Sequence, residues 1–230
     1  ARGVVAEAVG ASPRNVVFTS SGTEANTLAL CPGLRSAAGE PVRRLLMSSV
    51  EHASVLAGGR FAPEALAGIA VTRSGVVDLD DLRRLLAEGP PALVSIMAAN
   101  NETGALQPVQ AAAEIVHAAG GLLHVDAIQA FGKIALDINA IGADLVTLSA
   151  HKIGGPKGVG ALVLAEGLAG LEPLLRGGGQ ELGRRAGTEN VAGIAGFGSA
   201  VHAAMTGRET ESTRVEGLRN RLERGLRQSE

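Results

Sequence analysis

LLHVDAIQAFGKIALDINAIGADLVTLSAHKIGGPKGVGALVL, residues 122–164, is the stretch whose reading decides the fold. Residues 122–125, 144–148 and 159–164 read as three short strands. LLHVD and LVTLS are apolar almost throughout, as strands covered on both faces require. Residues 134–141 read as a weak helix. Asp137 reads as the cap of that helix, and Asp144 as the opening of the next strand. The second strand runs straight into SAHK, so a lysine follows a buried strand and precedes a glycine-rich loop.

The same alternation extends outward. Residues 15–19, 44–48 and 93–97 read as further strands. Residues 24–38, 79–88 and 109–119 read as helices, with Pro32 interrupting or ending the first. Strands alternating with helices predict an α/β fold: a mostly parallel central sheet flanked by helices. From about Gly187 the pattern is helical, after the glycine-rich GGGQELGRRAG. Residues 208–230 are dense in charge, with Leu218, Leu222 and Leu226 four apart, which predicts an amphipathic helix. This divides the chain into a main domain, 1–207, and a helix, 208–230, leading away from it.

The composition narrows the function. Of 230 residues 46% are hydrophobic and 19% charged, the balance of a globular core rather than a disordered chain. The net charge of −2 and the absence of Trp and Tyr argue against nucleic acid and anionic membranes as partners. No apolar run has the length of a membrane span and no signal peptide is visible, so a cytoplasmic location is the default. The single cysteine, Cys31, forms no internal disulfide. It sits in the apolar stretch 28–34, reads as a helical core residue, and a buried thiol of that kind is inert.

Ligands of open parallel sheets bind beyond the carboxyl ends of the strands, and that is where the polar residues of this chain gather. Lys152 is either a surface loop lysine or an amine held and desolvated so that it attacks an aldehyde. Lys157, after Pro156, is given a structural role in the turn. Asp126, ending a strand, is either a helix cap or the carboxylate that keeps a proton on a pyridine nitrogen. Ser20, Ser21, Gly22 and Thr23 either cap the helix that follows or cradle a phosphate at its positive end; their spacing is not that of a nucleotide P-loop. His52, at a strand-to-helix turn, either lies over a planar cofactor or is structural, as His117, His124 and His202 are taken to be. Glu51 beside it reads as a helix-start charge. Asn100 and Asn101 suit either a ligand oxygen or turn chemistry.

FTSSGTEAN, EHASVL, NNETG, HVDAIQAFGK, SAHKIGGPKGVGAL and GGGQELGRRAGTEN, in that order, together resemble the cysteine desulfurases. These belong to the class V aminotransferase group of fold-type I pyridoxal phosphate enzymes, and the likeness runs from Ala1 to about Ala200. It implies that residues 1–207 are the cofactor-binding large domain of that fold, incomplete at the N-terminus, and that the cofactor is pyridoxal 5'-phosphate.

By the same resemblance Lys152 carries the cofactor as a Schiff base and moves protons. Asp126 pairs with the ring nitrogen, Gln129 bonds the phenolic oxygen, and His52 stacks on the ring and serves acid–base steps. Thr23, Ser149 and His151, with Gly22, bind the phosphate. Asn101 contacts substrate or ring, and Thr188 reaches the phosphate of a neighbouring subunit in a homodimer. The implied reaction converts L-cysteine to L-alanine and supplies sulfur, through a scaffold acceptor protein, to iron–sulfur cluster assembly. The family's N-terminal segment is expected to be missing from these residues, as is the small domain bearing its persulfide cysteine and substrate-gripping arginine. The rival readings are a selenocysteine lyase or other class V member, an inactive cofactor-binding scaffold, and a phosphate-binding α/β protein that forms no Schiff base.

Overall fold

The computed structural model describes residues 1–36 and 39–228. Ala37 and Ala38 of the expected first long helix, and Ser229 and Glu230 of the expected last one, lie outside the described residues. The elements in chain order are α1 (Arg2–Ala8), β1 (Val16–Thr19), α2 (Gly22–Ala29), β2 (Arg44–Ser48), α3 (Ala53–Leu56), β3 (Leu66–Ile69), α4 (Leu79–Ala87), β4 (Ala92–Met97), α5 (Val109–Ala118), β5 (Leu122–Asp126), β6 (Leu145–Ser149), β7 (Gly160–Leu164) and α6 (Val191–Arg227).

One seven-stranded sheet runs in the order β1-β7-β6-β5-β4-β2-β3. The pairs from β6 across to β3 are parallel, and β7 alone runs against both its neighbours, β1 and β6. The chain is thus an α/β protein with a mostly parallel sheet, as its alternation predicts. Because β1 opposes β7, it points the same way as β6, so β1, β2, β4, β5 and β6 all end at one edge of the sheet. That edge receives the polar residues.

Side chains alternate between two cores, one on each face, with the two-residue period of a strand. Leu45, Met47, Leu93, Leu122, Leu145 and Leu162 face α2 together with Leu28, Ala29 and Leu34. Leu46, Val94, Ile96, Leu123, Val125 and Val146 face the other side, with residues of α1, α4, α5 and α6. In that second core Phe197 of α6 meets Phe18 and Phe131 edge-on, both at 6.4 Å between ring centres.

Several elements differ from expectation. The first long helix stops at Ala29 rather than reaching 38; Pro32 biases the residue before it out of the helical region, and Cys31 lies past the helix end, buried. Residues 134–141 form no helix. Asp137 Oδ1 accepts from the N–H of Asn139 and Ala140, which closes a single turn, and Ile138 plugs into the core. Strand β3 and helix α1 have no counterpart among the expected elements. β3 reads LAGI, without β-branched runs and only partly buried at the sheet edge. Helix α6 runs unbroken across residues 207 and 208.

Candidate active site

A cavity of about 310 Å³ opens at the edge where the parallel strands end. That is near the lower end of the roughly 300–1,000 Å³ typical of small-molecule sites. Gly22, Thr23, His52, Asn101, Asp126, Gln129, Ser149, His151 and Lys152 all line it, so the structure brings together every expected site residue but Thr188. Thr188 is exposed, in the segment leading to α6. That segment is moored by two ion pairs. Arg185 pairs with Glu24 of α2 at 2.8 Å, and Arg2 pairs with buried Glu181 at 2.8 Å.

One wall is the start of α2. Ser21 is its N-cap, accepting from the N–H of Glu24 at 3.1 Å, while Glu24 Oε2 accepts from the N–H of Ser20 at 2.7 Å. Capping satisfies part of the helix end, and the free N–H groups with the helix dipole leave a positive rim suited to an anion. At Gly22 the backbone runs close to Ile128, whose Cδ1 would have to shift to admit a Cβ. The opposite wall follows β6, where Ser149 Oγ lies 2.9 Å from His151 Nδ1 and Lys152 sits in a 3₁₀ turn spanning Ala150–Ile153. Burial, then the positive charges of Lys152 and Lys157, hold the His151 imidazolium below its ordinary range. Lys157 lies outside the cavity lining.

Asp126 forms the floor and is 4% exposed. Its Oδ1 accepts from the N–H of Ile128 at 3.0 Å, as a cap would, and its Oδ2 from Asn26 Nδ2 at 2.9 Å. Burial pushes its carboxyl above the usual range, against those two hydrogen bonds and the His52 charge. No lysine or arginine pairs with it among the described ion pairs. A buried carboxylate in that state gains most from a cationic nitrogen brought into the cavity. Both readings of Asp126, cap and ring partner, are compatible at once.

His52 caps the short helix α3, its Nδ1 accepting from the N–H of Ser54 at 3.1 Å. Of the paired asparagines, turn chemistry claims Asn100, whose Oδ1 accepts from the N–H groups of Glu102 and Thr103, both at 2.9 Å. Asn101 is left facing the cavity, with its Nδ2 donating to Glu102 Oε1 at 2.6 Å.

Glu51 is not a helix-start charge. It is 5% exposed and turned into the sheet, where its Oε1 accepts from Ser48 Oγ and from the N–H of Met97, both at 2.6 Å. Its Oε2 is buried with no hydrogen-bond partner among the described residues. Burial, reinforced by the charge of Asp126, raises its pKa to about 8. Nothing in VEH distinguishes such a glutamate from a solvated one. Asn26 and Ser54 were also missed, although Asn26 had a signal: it is a polar residue one helical turn from Gly22 on the face that α2 buries.

The donor set fits pyridoxal phosphate. A positive helix rim suits the phosphate, a lone buried carboxylate suits a ring nitrogen, and an amine stands on the far wall. No group of His, Cys, Asp and Glu among the described residues is arranged to hold a metal, and no helix among them is long and apolar enough to cross a membrane.

Comparison with known proteins agrees. The family model for class V aminotransferases matches residues 1–230. The chain belongs to the class V aminotransferase family. It is 44% identical over 215 residues to a cysteine desulfurase of Gluconacetobacter diazotrophicus, covering 92% of this chain and 53% of that protein. An X-ray structure of a NifS-like protein from Rickettsia africae superposes with a TM-score of 0.89 at 36% identity, covering 99% of this chain and 62% of the other. A structure of SspA in complex with cysteine superposes with a TM-score of 0.73 at 32% identity, covering 87% and 58%. The chain therefore spans about half the length of the curated relatives it matches.

Proposed function

We propose that these residues form the cofactor-binding part of a pyridoxal phosphate-dependent cysteine desulfurase, which releases sulfur from L-cysteine as L-alanine forms. The observation that carries the reading is the buried Asp126 carboxylate, with no lysine or arginine paired to it among the described residues, in one cavity with the amine of Lys152. The kinship to desulfurases and to a relative described in complex with cysteine supports the choice of substrate.

Bound pyridoxal phosphate supplies an electron sink for the carbon next to the substrate nitrogen. The residues of this chain bind and orient it. Lys152 Nζ would hold the aldehyde carbon and would move a proton. Asp126 keeps the ring nitrogen protonated. Gly22, Thr23, Ser149 and His151 would bind the phosphate, Gln129 and Asn101 would bond the ring oxygen or substrate, and His52 would cover the ring. Thr188, exposed and outside its own chain's cavity, serves the phosphate of a second copy in a homodimer. Cys31 is no sulfur acceptor: it is 1% exposed and burial raises its thiol pKa. The sulfur then passes to a thiol outside these residues, on the route to iron–sulfur cluster assembly in the cytoplasm.

The test is alanine formation by the holoenzyme from L-cysteine with an added thiol acceptor, against a Lys152→Ala control. Alanine above the control supports the proposal. Turnover of selenocysteine alone would replace the substrate, and turnover of neither would leave a cofactor-binding scaffold.

A further inference from the structure

Asp126 and His52 reach the cavity from different elements, and one buried side chain joins them. Asn26, on α2, is 0% exposed. Its Nδ2 donates to Asp126 Oδ2 at 2.9 Å and to Ser54 Oγ at 2.9 Å. Its Oδ1 accepts from Thr147 Oγ1 at 2.6 Å. Behind Thr147 the chain continues to His124 Nε2 at 3.1 Å, and from His124 Nδ1 to Ser95 Oγ at 2.8 Å. These polar residues of β4, β5 and β6 share the sheet face that α2 covers, because they lie at even spacings from Leu93, Leu122 and Leu145 of that face.

Every proton in this network has one consistent place. The backbone N–H of Ser54 can only donate, so His52 Nδ1 is an acceptor and its proton sits on Nε2. Ser54 Oγ, 2.8 Å from the same Nδ1, must donate to it, which leaves the hydroxyl oxygen free to accept from Asn26. An ionised Asp126 accepts only, so it takes the second amide hydrogen. Thr147 spends its hydrogen on Asn26 and therefore accepts from His124 Nε2–H, and His124 Nδ1 accepts from Ser95. His124 is fully buried, and burial keeps it neutral, as this arrangement requires.

Resting on the reading that the cavity takes pyridoxal phosphate, we propose that Asn26 is a positioning residue: one amide aims the Asp126 carboxylate at the ring nitrogen and fixes Nε2 as the protonated nitrogen of His52. The two groups that meet the cofactor from floor and face are thereby set together. A buried asparagine with a purely structural task would have no reason to divide both its hydrogens between two cavity-facing groups.

Long-range ¹H–¹⁵N spectra of the histidine rings in the cofactor-free chain at pH 8 read the tautomers directly. The wild type shows His52 and His124 as Nε2–H. Asn26→Ala releases the Ser54 hydroxyl, leaving only the longer backbone bond on Nδ1, and His52 becomes a mixture of tautomers. Asn26→Asp keeps the volume but accepts the Ser54 hydrogen and faces Asp126 with like charge, so it shifts His52 in the same direction. Equilibrium dialysis with pyridoxal phosphate gives a dissociation constant at least tenfold weaker in both variants. Thr27→Ala, at a half-buried position of the same helix outside this network, changes neither readout. Both variants retaining the wild-type His52 tautomer, with cofactor affinity within twofold, overturns the proposal. If the wild type itself binds no cofactor, the reading of the site fails and the ring-directed role of Asn26 with it; the tautomer shift then still decides the Asn26–Ser54–His52 link.

Discussion

Glu51 and His124 are buried in the same part of the sheet and displaced in opposite senses, Glu51 up to about 8 and His124 down to about 3. Both stay neutral in the fold near pH 7. For His124 the unfolded chain binds the extra proton between pH 3 and 6.5, so stability grows with pH there and is lost as pH falls. For Glu51 the folded chain binds the extra proton between pH 4.5 and 8, so its contribution is full below 4.5 and is lost as pH rises through 8. Asp126, also raised by burial, contributes in the same sense as Glu51, its share lost as pH rises, and Glu24, held down by Arg185 and Ser20, adds to the acid loss. Glu51→Gln, neutral at every pH and of the same shape, is predicted to stay folded at neutral pH and to flatten the decline above about pH 6.5. Urea denaturation across pH checks it; an unchanged alkaline limb contradicts it. These residues were the hardest to read in the sequence. A charge beside a histidine gives no sign of whether the backbone turns it inward, whereas Asp126 was legible because it ends an apolar strand and Lys152 because it closely follows one.

At the scale of elements, the phosphate side of the cavity depends on how closely β7 approaches the turn between β1 and α2. A Cβ on Gly160, the first residue of β7, would come within 2.5 Å of Ser21 C and 2.9 Å of Gly22 N. Those are backbone atoms, with no rotamer to yield. Gly160→Ala is therefore predicted to cost about 1–3 kcal/mol, the range for overpacking, and to weaken phosphate-dependent cofactor binding. Urea denaturation and titration with pyridoxal phosphate measure the two effects; a change below about 0.5 kcal/mol with intact binding contradicts the account. The sequence showed the strands that are buried on both faces, because continuous apolar runs such as LVTLS have no other home. It did not show β3, whose LAGI lacks that signal. It suggested a helix at 134–141 where Asp137 closes only one turn, since a cap looks the same whether or not a helix follows.

For the whole molecule, six strands pointing one way bring residues from five separate loops to a single edge, and that convergence distinguishes the site from the individual motifs. The fold class followed from the alternation of elements, and the family from the order of six motifs. The role of long-range partners did not, because Asn26, Thr147 and His124 meet only once the sheet has formed. Helix α6 extends past the body of the domain, with Val215, Leu218 and Leu222 exposed at 47%, 50% and 64%. This apolar stripe is one of the surfaces that the described residues leave uncovered.

The central claim is that Lys152 and Asp126 hold one cofactor between them. The direct measurement is borohydride reduction of the chain after incubation with pyridoxal phosphate, followed by mass spectrometry of its peptides. The account predicts a phosphopyridoxyl mass on the Lys152 peptide, strongly diminished in Asp126→Ala. No such mass on that peptide, or labelling of Lys133 or Lys157 in its place, would contradict it.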